Sequence, residues 1–129
     1  YYSGDIEGKF WFGVQSSMDA ENFGGEYDIL EDEEGNEYGA QFSFFTKDIP
    51  DIEEGLKTAL EELGEDNKKK LDDFFAKVNS YNNEMIEKET GIPVLKVKEL
   101  LEPYARYLFG EEILKCVQEK GQCVFEAEL

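Results

Sequence analysis

The apolar positions of this chain change period along its length. Over residues 8–16, Phe10, Phe12 and Val14 alternate with Lys9, Trp11, Gly13 and Gln15. Aromatic and β-branched residues at period two, bounded by glycines and a Ser-Ser turn, predict a first strand with one core face. Residues 16–25 read as a connection in which Ser17 or Asp19 caps one helical turn and Gly24-Gly25 ends it. Glu26 to Leu30 predicts a second strand, and Glu37 to Phe45 a third, with Tyr38, Ala40, Phe42 and Phe44 on one face. Gly35-Asn36 supplies positive-φ residues between them, so residues 26–45 are expected to form a hairpin.

After Pro50 the period becomes helical. Ile52, Leu56, Ala59, Leu60 and Leu63 make one stripe, stopped by Gly64. A second, longer helix is expected from Asp66, its stripe running from Leu71 through Phe74, Phe75, Val78, Tyr81, Met85 and Ile86 to Gly91 and Pro93. Val94 to Val97 reads as a brief extended segment. One or two helices follow, broken near Pro103 or Gly110 and ended by Gly121. Cys123, Phe125, Ala127 and Leu129 then alternate as a C-terminal strand expected to pair within the sheet. The order β-β-β-α-α-α-β predicts an α+β fold: a small antiparallel sheet with helices packed on one face, in a single domain over residues 1–129.

Charge alters this picture most. The formal net charge is −18, and residues 1–66 carry 19 acids against 3 bases while residues 67–129 carry 12 against 10. A chain so acidic lacks the basic footprint that direct nucleic-acid or anionic-membrane binding requires. No apolar run reaches the roughly 20 residues of a membrane span, and no signal-peptide pattern is visible, so a cytoplasmic location is expected. The two cysteines, Cys116 and Cys123, are then expected as free thiols.

The chain contains no histidine, which removes Ser-His and Cys-His nucleophile systems and makes a zinc site unusual. Aligning Gly35 with the invariant glycine of a calcium loop places Leu30 and Gln41 at the two anchoring ends, where carboxylates are needed. Gly8-Lys9 is followed by Phe10 and leads into a strand, unlike a phosphate-binding loop. No metal and no cofactor are expected.

Two functional readings follow. In the first, the protein is a non-enzymatic interaction protein presenting an acidic surface to a basic partner, in its sharpest form a mimic of nucleic-acid charge. Glu31, Asp32, Glu33, Glu34, Glu37, Glu53, Glu54, Glu61 and Glu62 would carry that surface, joined by Asp48, Asp51, Glu65 and Asp66. In the second, Asp5, Glu7, Lys9, Trp11 and Gln15 line a small-molecule pocket, or a modest enzyme site, on the first strand. Tyr104 and Tyr107, beside Arg106, suggest an exposed aromatic patch suited to a homodimer contact.

Overall fold

Four strands, β1 (Tyr2–Gly4), β2 (Glu26–Glu31), β3 (Glu37–Phe45) and β4 (Gln122–Glu128), pair antiparallel in the order β1-β4-β3-β2. The computed structural model describes residues 1–129. The C-terminal strand therefore lies inside the sheet, with Phe125 opposite Phe42. The expected hairpin is present, and its register sets Tyr27 against Phe42 and Ile29 against Ala40. Four helices complete the chain: α1 (Ile49–Leu63), α2 (Glu65–Phe75), α3 (Asn83–Thr90) and α4 (Val94–Lys120). The fold is α+β, as the segregation of strand and helix patterns predicts.

Two apolar cores divide the molecule. One face of the sheet contributes Tyr2, Ala40, Phe42, Phe44, Cys123, Phe125 and Ala127 to the first, against Ile52 of α1 and Phe109, Ile113 and Val117 of α4. The second lies among the helices, built from Leu63, Leu71, Phe74, Ile86, Val97, Leu101 and Tyr104 with their neighbours. Helix α4 serves both. Its buried face swings nearly half a turn around the axis between Val97–Tyr104 and Phe109–Val117. A single-stripe reading breaks such a helix in two. The chain instead runs unbroken from Val94 through Pro103 and Gly110, and the extended segment expected at 94–97 is its first turn. Gly110 is a packing requirement: an added Cβ would lie 2.5 Å from the Phe23 ring, and one on Gly55 of α1 would lie 2.6 Å from the same ring.

The expected strand over 8–16 does not form. Gly8 and Gly13 have φ of 114° and 68°, Phe12 itself sits at 56°, and Trp11–Gly13 is one 3₁₀ turn. The reason is that the aromatic run feeds both cores. Phe10 and Trp11 pack on the sheet core, whereas Phe12 enters the helical core and stacks on Tyr104 with ring centroids 5.7 Å apart. A flat strand would turn Phe10 and Phe12 to one side. The edge strand is instead β1, and the chain folds back on it through two hydrogen bonds between Tyr2 and Gly8.

The long helix expected from Asp66 to beyond Ile86 also divides. Residues 76–82 leave the helix, and Asn82 caps α3 by accepting the Met85 N–H at 2.8 Å. Asn79, Ser80 and Asn82 favour caps and turns over helix interior, and here that preference outweighs the apolar stripe.

Candidate interaction surface

The β2–β3 hairpin is the most acidic piece of the chain. Residues 26–37 hold seven carboxylates and no base, and residues 10–46 contain neither lysine nor arginine. The tip is fixed by Asp32, whose Oδ1 accepts the N–H groups of Glu34 and Asn36, each at 2.9 Å. These donors hold the Asp32 carboxyl below its usual range, the Asn36 N–H most of all. Glu31, Glu33, Glu34 and Glu37 surround it, all exposed. Glu31 stands directly opposite Glu37 across the ladder, a like-charge pair at the site of a β-bulge.

Helix α1 carries the second acidic group. Its buried stripe, Ile52, Gly55, Ala59 and Leu63, leaves Glu53, Glu54, Glu61 and Glu62 exposed. β3 separates the two groups in sequence: its eight residue steps span about 26 Å and end at Phe45, where the turn Thr46–Asp48 leads into α1. Of the nine carboxylates predicted to form the surface, Glu62 alone faces a cation, Arg106, at 3.3 Å. Asp51, Glu65 and Asp66 are exposed as well, but Asp48 is buried, its carboxylate accepting the Phe45 N–H where strand turns into helix.

The five residues of the predicted pocket part company. Asp5 reaches β4 and the end of α4, accepting from the Val124 N–H at 2.9 Å and from the Lys120 ammonium at 3.3 Å. Glu7 and Lys9 are exposed. Trp11 and Gln15 stay together: the Trp11 N–H donates to Gln15 Oε1, and Gln15 Nε2 donates to Asp19 Oδ2 at 2.9 Å. Asp19 is only 3% exposed and receives Arg106 Nε at 2.9 Å.

The chain matches no protein-family model, no curated protein sequence and no solved structure.

Arg106, the single arginine of the chain, is the residue that sequence reasoning left out of the Asp19 network. Its guanidinium meets Asp19, Glu62 and Glu102 at once. The signal that could have found it is its uniqueness: a chain with twelve lysines keeps its one planar fork for a multidentate site. A polar cleft of about 310 Å³ opens beside it, lined by Asn22, Asp51, Glu54, Thr58 and Glu62. The aromatic patch expected around it is absent. Tyr104 is buried and donates to Asp72 at 2.7 Å, and Tyr107 lies under Lys68 with the ammonium 5.0 Å from its ring.

The donor atoms of Asp5, Cys116 and Cys123 come within 4.8 Å of one another. Both Asp5 oxygens are already engaged, and Lys120 supplies the positive charge beside them. Cys116 and Cys123 are free, and burial pushes the Cys123 thiol well above its usual range. A second cleft, about 670 Å³, lies between α2 and α3 over Phe74, Val78 and Met85, with Lys70, Lys77 and Lys88 on its rim. No helix is long and apolar enough to cross a membrane.

Proposed function

We propose that this is a non-enzymatic interaction protein whose acidic hairpin and α1 bind a basic, nucleic-acid-binding partner. The observation that carries this reading is the unpaired state of the surface: eight of the nine predicted carboxylates are exposed and meet no lysine or arginine within 4.0 Å. Carboxylates held on a strand pair and a helix attract the lysines and arginines that otherwise meet phosphates, steering encounter and excluding acidic competitors. The Asx turn at Asp32 supports the same reading, because it fixes the tip and lowers the ordering cost of binding.

The test is capture on the immobilised chain at about 0.1 M salt, elution toward about 1 M, and competition with duplex DNA. A nucleic-acid-binding protein retained at low salt and displaced by both treatments is the expected result. A parallel column carries Gln at positions 31, 33, 34, 37, 53, 54 and 61. Equal retention on that column would contradict the proposal.

A further inference from the structure

The sheet has two edges, and they are treated differently. On one side β1 is three residues long, and the chain folds back over it through paired Tyr2–Gly8 hydrogen bonds. On the other side β2 offers six residues with no strand beyond them. Alternate residues of such a strand direct their N–H and C=O groups outward, a template for another extended chain.

The side chains along this edge are as unusual as its length. Tyr27 and Ile29 lie on the face that β3 turns toward the helices, yet they are 47% and 38% exposed. Tyr38, on the same face of β3, is 53% exposed. Glu26, Asp28 and Glu31 belong to the same strand, Glu37 faces Glu31, and the only lysine or arginine within 4.0 Å of these carboxylates is Lys47, on Glu26 at 3.4 Å. An apolar strip set among carboxylates has a definite complement. It rejects a second copy of itself, since pairing β2 with β2 would align the acids against each other.

We infer that β2 is extended by a strand from the basic partner: a segment alternating lysine or arginine with β-branched or aromatic residues, adding as a fifth strand. Its backbone completes the open ladder, its apolar side chains cover Tyr27 and Ile29, and its cations meet Asp28, Glu31 and Glu37. This rests on the acidic-surface reading above and gives it a geometry.

The probe is an end-blocked eight-residue peptide alternating lysine with valine. A second version is N-methylated at every valine, which keeps the charge and removes backbone donors. Binding to the intact chain is followed by amide chemical shifts at about 0.1 M salt. Expected is at least tenfold tighter binding of the unmethylated peptide, with shift changes and slowed exchange over residues 26–31. Ile29→Lys, at an exposed position, should weaken it at least tenfold while leaving the rest of the spectrum unchanged. Equal affinity of the two peptides, or shifts confined to α1, would overturn strand addition and leave the acidic-surface reading standing. If neither peptide binds and an octalysine control also fails, both fall.

Discussion

Arg106 Nε donates to Asp19 Oδ1 at 2.9 Å, joining residues 87 positions apart. The pair locks the 3₁₀ turn Asp19–Phe23 onto α4, and Gln15 and Asn22 complete the shell around the buried carboxylate. Removing the arginine leaves Asp19 charged, buried and short of its counter-ion. Arg106→Ala is expected to cost about 3 kcal/mol in urea unfolding. The double variant Asp19→Asn, Arg106→Gln should recover part of that loss. A cost under about 1 kcal/mol would show that the pair is solvated in solution.

Tyr2 is 2% exposed, and its hydroxyl has no hydrogen-bond partner. The ring is held by Phe10, Phe109 and Phe125, so its apolar contacts do not need the oxygen. Tyr2→Phe should therefore stabilise the protein by about 1 kcal/mol, read as a higher urea midpoint with an unchanged slope. A lower midpoint would reveal a partner for the hydroxyl.

Phe12 combines a φ of 56° with ring contacts to Phe75, Tyr81 and Tyr104. Truncation loses those contacts whatever replaces the ring, but only glycine escapes the left-handed backbone penalty. Phe12→Gly should be more stable than Phe12→Ala by about 1 kcal/mol, the reverse of the usual order. Thermal or urea unfolding of the two variants side by side decides it.

The Asp5 carboxyl is held below its ordinary value, chiefly by the Val124 N–H and then by Lys120. A depressed folded value means that its contribution is complete above the usual carboxylate range. It disappears as pH falls through the folded value. Asp5→Asn should thus be less stable than the original at pH 7, and the two should converge toward pH 2. A gap independent of pH would mean that the charge of Asp5 contributes nothing.

The parts of this fold that were legible in sequence are those where one element meets one surface. β3 and β4 alternate cleanly because a single face of each is covered, and α1 keeps one stripe because its buried face does not turn. The residues that misled serve two surfaces. The alternation of Phe10, Trp11 and Phe12 mimics a strand while the side chains divide between two cores. Pro103 and Gly110 mimic helix ends inside a helix that changes face between them. The acidic residues were legible as a composition, and their exposure follows from the stripes and alternations that exclude them. The Asp19–Arg106 pair leaves no periodic trace, because it depends on contacts 87 residues apart.

The most direct measurement is the affinity of the captured basic partner for the chain and for the seven-Gln variant, across about 0.1 to 0.5 M salt. If the unpaired carboxylates carry recognition, affinity falls at least tenfold over that range. The variant then loses at least tenfold at the lowest salt, which is about 1.4 kcal/mol. Indistinguishable affinities for the two proteins, or binding indifferent to salt, would contradict recognition through the acidic surface.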